Sequence, residues 1–259
     1  MDIRQPAVAG QFYPADPGTL RRVVRQCLEG ARPAAPARVL VAPHAGYVYS
    51  GAVAACAYAT LAAARGSINR VLLLGPCHRT YITGLALPAA EAFRTPLGDV
   101  ALDRPGMQVV AACRQVCVSQ AAHALEHSLE VQLPFLQEAL GDFSLVPLAV
   151  GAATPAEVAG VIALLWDAPG TLTVISTDLS HYHDYATARR IDARTTRAIE
   201  SFDTAAIGPE QACGYVPLNG LLTLAQDRCM KVTTLCVANS GDTAGPRDRV
   251  VGYGAWAVC

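Results

Sequence analysis

Seven short aliphatic runs constrain this chain more than any other feature: ARVLVAPH, NRVLLLGPCH, TGLALPA, FSLVPLAVG, TLTVISTD, KVTTLCVAN and RVVGYGAWAV. Most are continuous rather than alternating, which marks strands covered on both faces. Between them lie amphipathic or Ala-rich stretches with helical spacing, such as PGTLRRVVRQCLEGA, TPAEVAGVIALLWDA and DYATARRIDARTTRAIESF. This alternation predicts an α/β fold, a three-layer sandwich with a mainly parallel central sheet. There is no long linker and no fixed-period repeat, and ARPAAPAR is the one low-complexity tract. Residues 1–259 therefore read as one domain, with 92–106 as an excursion of short strands.

Composition narrows the partners. A formal net charge of -1 with 16% charged residues leaves no basic field for nucleic acid or an anionic membrane. The N-terminal stretch lacks a basic region followed by an apolar block, so the cytoplasm is the expected compartment. The most membrane-like window, GYVYSGAVAACAYATLAAA, is built from Ala and Gly and reads as a buried helix. Nine cysteines without a CxxC pair argue against a disulfide framework or zinc ribbon and for buried free thiols.

In a parallel sheet the strand carboxyl ends deliver side chains into a common crevice. Here RVLVAP runs into His44, VLLLGPC into His78, and TVIST into Asp178 with His181 three residues on. One histidine beside a strand is most often structural; three polar strand exits together point to a site. Gly46, Gly51, Gly75 and Pro76 let the backbone come close to a ligand there. In HALEHSLE, His123, His127 and Glu130 would share a face if the segment were helical. His127 is expected to project toward the crevice, and His123 and Glu130 to be capping or surface groups. Ser128 could cap a helix, and Pro134 leaves the helix boundary open.

The chain resembles the Memo family, also labelled AmmeMemoRadiSam system protein B. The resemblance rests on AGQFYPAD, VAPHAGYVYSG, LLLGPCHRTY, EHSLEVQLPFL, STDLSHY, ACGYVPLNGLL and VVGYGAWA, spread from about residue 9 to 257. It implies a fold similar to class III extradiol dioxygenases, which hold non-haem Fe(II) with two His and a carboxylate. For Memo-like proteins it implies two His and a Cys instead, here His44, His78 and Cys213, with Asp178 and His181 close by. That departure sets ring cleavage aside as the default reaction.

Two imidazoles and a thiolate suit Fe, Cu or Zn rather than Mg or Ca. The leading expectation is a transition-metal protein, Fe(II) first with Cu or Zn as rivals, performing redox or oxygen-dependent chemistry on an unknown small molecule or peptide. Asp178, His181 and His127 would orient ligands or move protons. Cys77 is a rival thiol whose side chain should point away from the site. A different class of reading is a non-catalytic module that binds a protein or peptide or buffers metal. A third is a zinc hydrolase with Asp178 or Glu130 as base. The resemblance also implies a functional link to a radical SAM enzyme.

Overall fold

The computed structural model describes residues 2–32 and 34–259; Pro33, inside the Ala- and Pro-rich tract noted above, lies outside the described residues. The strands are β1 (Ile3–Arg4), β2 (Val39–Ala42), β3 (Arg70–Pro76), β4 (Leu85–Leu87), β5 (Ala92–Thr95), β6 (Gly98–Ala101), β7 (Val116–Val118), β8 (Ser144–Val150), β9 (Thr171–Ser176), β10 (His181–His183), β11 (Val232–Asn239) and β12 (Val250–Val258). The helices are α1 (Pro17–Gly30), α2 (Tyr47–Tyr58), α3 (Arg104–Ala111), α4 (Gln120–Ala124), α5 (Leu133–Leu140), α6 (Pro155–Trp166), α7 (Tyr185–Glu200) and α8 (Tyr215–Asp227).

Local chemistry sets several helix starts. Asp16 caps α1 by accepting from the Thr19 N–H, with Pro17 in the first turn. Thr154 and Glu157 form a reciprocal capping box on α6. The membrane-like window becomes α2, largely buried, and no helix among the described residues is long and apolar enough to cross a membrane.

Nine strands form the main sheet, in the order β10-β12-β2-β9-β3-β8-β4-β7 with β11 paired to β12. The middle four, β2, β9, β3 and β8, run parallel. Every residue of β2 and β9 is buried, as is every residue of β3 and β8 after the first. Both faces are therefore covered. Helices α1, α2 and α5 pack together, with α2 over β2, β11 and β12; α3, α6 and α8 form a second group, with α8 against β3 and β9.

The sheet as a whole is mixed, which corrects the expectation of a mainly parallel one. β12 meets β2, β10 and β11 antiparallel, and β4 meets β8 antiparallel. The cause is connection length: β3 reaches β4 through residues 77–84, and β11 reaches β12 through 240–249. A parallel return needs a crossover of a dozen or more residues. The 92–106 excursion carries β5 and β6; β5 pairs with β1 on one side and β6 on the other in a separate three-stranded sheet.

Candidate metal centre

Because β2, β3 and β9 are parallel, their carboxyl ends open on one side of the sheet. His44 follows β2, His78 follows β3 and Asp178 follows β9, while Cys213 comes from the turn before α8 and His127 from the turn after α4. The rings of His44, His78 and His127 form a triangle with centroids 5.3, 5.5 and 5.0 Å apart, and His78 and His127 are stacked. One ligand atom from each of His44, His78 and Cys213 lies within 4.8 Å of the others. The expected shared site thus has its three members side by side.

The buried neighbours of His44 select its tautomer. The Ser176 hydroxyl donates to the Ser128 carbonyl at 2.6 Å and accepts the Gln132 side-chain N–H at 2.7 Å. Its remaining lone pair faces His44 Nδ1 at 2.9 Å, so Nδ1 carries the proton. Nε2 is left with a free lone pair, 3.4 Å from Cys213 Sγ. Burial, then the nearby His78, pushes the His44 pKa down to about 3, which keeps the ring neutral.

Cys213 is drawn against the end of β9. Its sulfur accepts the Asp178 N–H at 3.3 Å, and its own N–H donates to the Asp178 carbonyl at 3.3 Å. Gly214 makes this approach possible: a Cβ there would lie 2.7 Å from the Ser176 carbonyl and from Thr177. Burial and the charge of Asp178 raise the thiol to about 12. A bound cation is what would release that proton.

Glu126, to which sequence reasoning assigned no role, organises the His78 side. Its carboxylate accepts His78 Nδ1–H at 2.9 Å, the backbone N–H of His78, and the N–H groups of His127 and Ser128 at 2.9 and 2.8 Å. A carboxylate can only accept, so Nδ1 carries a proton and Nε2 is the nitrogen left for a ligand. Burial would raise the Glu126 carboxyl, but its bonds to His78 and to backbone N–H groups hold it at about 2. The usable signal was a carboxylate beside a histidine within the apolar stretch of the motif. His127, 14% exposed in its side chain, has a buried Nδ1 without a hydrogen-bond partner. Phe12 packs edge-on against its ring.

Asp178 is buried, and its Oδ1 accepts the backbone N–H groups of His44 at 2.8 Å and Ala45 at 3.3 Å. It ties the β2 exit to the β9 exit. Burial raises its pKa, opposed by the His44 N–H. His181 donates Nδ1–H to the Leu179 carbonyl at 2.8 Å and lines the crevice, outside the three-residue cluster. Tyr182 follows it with φ at 62°, a left-handed conformation that costs a non-glycine residue about 1–2 kcal/mol. Such local strain concentrates at binding and catalytic sites.

The crevice, about 660 Å³, joins a lobe of about 390 Å³ that runs past Phe12, His181 and Tyr182 to Tyr49, Tyr253 and Arg249. Cys77 stays out of it: its thiol faces the Thr80 and Ala122 carbonyls. Gly51, expected near a ligand, lies inside α2 instead.

Two expectations are corrected here. The 123–130 segment is not one helix; α4 ends at Ala124, and a 3-10 turn begins at Glu130. His123 and Glu130 are buried rather than surface or capping groups. Glu130 accepts from Arg4, from Tyr13 OH, and from the N–H groups of Ala7 and Val8 at 2.8 and 3.1 Å. A carboxylate so committed is not available as a general base. Ser128 caps no helix; it donates to the Pro76 carbonyl at 2.8 Å.

A transition metal fits this donor set: two imidazoles whose Nδ1 atoms are committed to Ser176 and Glu126, which leaves Nε2 for a ligand, and a thiol that burial and the charge of Asp178 hold in its protonated form.

Comparison with known proteins agrees in extent. The chain is 37% identical to a MEMO1 family protein of Methanosarcina mazei, with both chains fully covered. It is 34% identical to one of Sulfolobus acidocaldarius, over 97% of each chain. A third, from Thermotoga maritima, is 35% identical over 96% of this chain and 97% of its own. In fold it resembles the crystal structure of uncharacterized protein JW3007 from Escherichia coli K12, with a TM-score of 0.52 at 16% identity, covering 83% of this chain and 98% of that one. The family model described as Memo-like protein matches residues 4–257, and the chain accordingly belongs to the Memo-like protein family.

Proposed function

We propose that this protein holds one transition metal between His44, His78 and Cys213 and uses it for redox or oxygen-dependent chemistry on a small molecule or peptide. One observation carries the reading: both histidines have Nδ1 committed inside the protein, to Ser176 and to Glu126, which leaves Nε2 for a ligand beside a buried thiol 3.4 Å from His44 Nε2. Second partners that fix the tautomer are the mark of imidazoles prepared to ligate. The scaffold is read as that of class III extradiol dioxygenases with Cys213 in place of a carboxylate. Fe(II) is the first candidate, with Cu and Zn as rivals for a set of two nitrogens and one sulfur.

When bound, the metal would supply a Lewis-acidic centre, and one active in one-electron steps if it is Fe or Cu. The chain's own groups have separate tasks. Asp178 holds the backbone at His44 and Ala45 in place through accepted N–H bonds. His181, with Nδ1–H committed to Leu179, offers Nε2 as a proton acceptor at the crevice wall. His127 has a buried Nδ1 without a hydrogen bond, 3.5 Å from Glu126 Oε1, and stacks on His78, where it can take or return a proton. Tyr49, Tyr182 and Tyr253 with Arg249 form the entry lobe and suit a planar group that carries negative charge. A radical SAM enzyme is the first functional partner to test.

Calorimetric titration of chelator-treated protein with Fe(II), Cu and Zn is the deciding experiment. One ion per chain is expected, with His44→Ala and Cys213→Ser each losing most of the affinity. If both variants keep wild-type stoichiometry and affinity, the assignment is wrong. Oxygen uptake by the loaded protein then separates catalysis from metal buffering.

A further inference from the structure

We propose that the cavity between α7 and the end of β11 is a second binding site, one that takes a small zwitterion of the amino-acid type. Its volume is about 520 Å³, and it shares no lining residue with the metal crevice or its entry lobe. The size suits a small molecule.

A missing side chain makes room for its floor. Gly252 stands opposite Asn239 in the ladder of β11 and β12, and a Cβ at 252 would lie 2.2 Å from Asp192 Oδ2. The Asp192 carboxylate thus takes the place of a side chain at 252, next to Asn239 on the same face. Both residues line the cavity, and they are only 3% and 2% exposed. Each is half used. Asp192 accepts the Ser180 N–H on Oδ1 at 3.1 Å, and Asn239 accepts the Gly241 N–H on Oδ1 at 2.9 Å. Their other polar atoms, Asp192 Oδ2 and Asn239 Nδ2, make no hydrogen bond among the described residues. One turn along α7 from Asp192, Thr196 Oγ1 is buried and without a partner as well.

The floor therefore offers a carboxylate oxygen, an amide donor and a hydroxyl. Burial pushes the Asp192 carboxyl up, opposed by its bonds with Ser180. A buried carboxylate without a cation is costly, and an ammonium group placed against Oδ2 would offset that cost. The rim carries the opposite sign. Arg189, Ala193 and Arg197 recur every four residues along the exposed side of α7, so the two guanidinium groups flank a gap over a methyl group. Neither is in an ion pair among the described residues. Arg189 lies over the Tyr185 ring at 5.7 Å, and Tyr185 OH is anchored by its bond to Asp242 at 2.5 Å. A carboxylate above Ala193 would meet both arginines and the Asn239 amide, while the ammonium reaches down to Asp192 and Thr196. Val237 and Ala238 form the apolar wall for the carbon frame between them.

The test screens the standard L-amino acids against the full chain by thermal shift, each at about 5 mM, and titrates those that raise the midpoint by calorimetry. At least one is expected to bind, with one molecule per chain. Its deaminated acid and its carboxamide should each bind about tenfold or more weakly, because each removes one of the two charges the site is built to meet. Asp192→Asn should weaken binding to a similar degree. Because Asp192 also holds Ser180, the deciding variant is Ala193→Glu, which sets a carboxylate between the two arginines on the exposed side of the helix. It should lose about tenfold or more in affinity while its unfolding midpoint without amino acid stays at the wild-type value. The proposal is overturned if none of the amino acids binds, if the deaminated acid or the carboxamide binds as tightly as the amino acid, or if Ala193→Glu keeps wild-type affinity.

Discussion

Glu126 and Glu130 are four residues apart and both buried, yet they belong to different kinds of region. Glu130 faces the chain's start and is saturated by a guanidinium, a phenol and two backbone N–H groups. Glu126 faces the crevice, and one of its partners, His78, keeps a further nitrogen unused. A buried charge whose partners are all internal is a structural anchor. A buried charge that prepares a neighbour for something not in the protein marks a site. His123, whose Nε2 donates to the Ala86 carbonyl at 2.8 Å, likewise lies away from the crevice that His44 and His127 line.

The strongest way to break this comparison is Glu130→Ala. It leaves Arg4 charged and buried without its carboxylate, a change that typically costs about 3–5 kcal/mol. Denaturant unfolding should show that loss, with one metal ion still bound by molecules that remain folded. A loss under about 1 kcal/mol would remove Glu130 from the role of anchor. Glu126→Gln should do the reverse. Its main effect should be a fall of about 10–100-fold in metal affinity by calorimetry, through the orientation of His78. If it destabilises the fold without touching affinity, the two carboxylates are alike after all.

Acid sharpens the contrast next. Burial lowers the pKa of His44 to about 3 and of His123 and His127 to about 4, against an ordinary value of 6.5. Between those values the unfolded chain binds protons that the native state refuses, so stability is present above about pH 6.5 and falls as pH drops below it. Unfolding of chelator-treated protein across pH 7 to 4 should show this. His127→Gln should reduce the slope by up to about 1.4 kcal/mol per pH unit, with His44 and His123 still contributing. An unchanged slope would mean that His127 is not kept neutral by its site. The smallest effect is expected for Ser176→Ala, which removes the acceptor of His44 Nδ1–H. Metal affinity should fall about tenfold, near the low end for such partners.

The parts that could be read from sequence are those in which the informative residue adjoins an apolar run. His44, His78 and Asp178 each follow a buried strand within two residues, so strand direction alone delivers them to one edge. Cys213 came from a resemblance, because its closeness to Asp178 spans 35 positions. Burial of Glu130 was illegible for the same reason: Arg4 and Tyr13 lie 126 and 117 positions away. The antiparallel flanks were missed because an apolar run signals burial and not the direction of its neighbour, in the long β11 and β12 as in the short β4.

That long reach between Arg4 and Glu130 has a consequence for how the molecule comes into being. At a synthesis rate of about 5–20 residues per second, roughly 6 to 25 s separate the appearance of Arg4 from that of its partner 126 positions later. Throughout that interval a guanidinium destined for the interior, and the segment through Phe12 that will pack on His127, have nothing to dock against. This part of the crevice wall cannot close until residue 130 has been made. A nascent chain paused before residue 130 would expose it to whatever binds unfinished proteins.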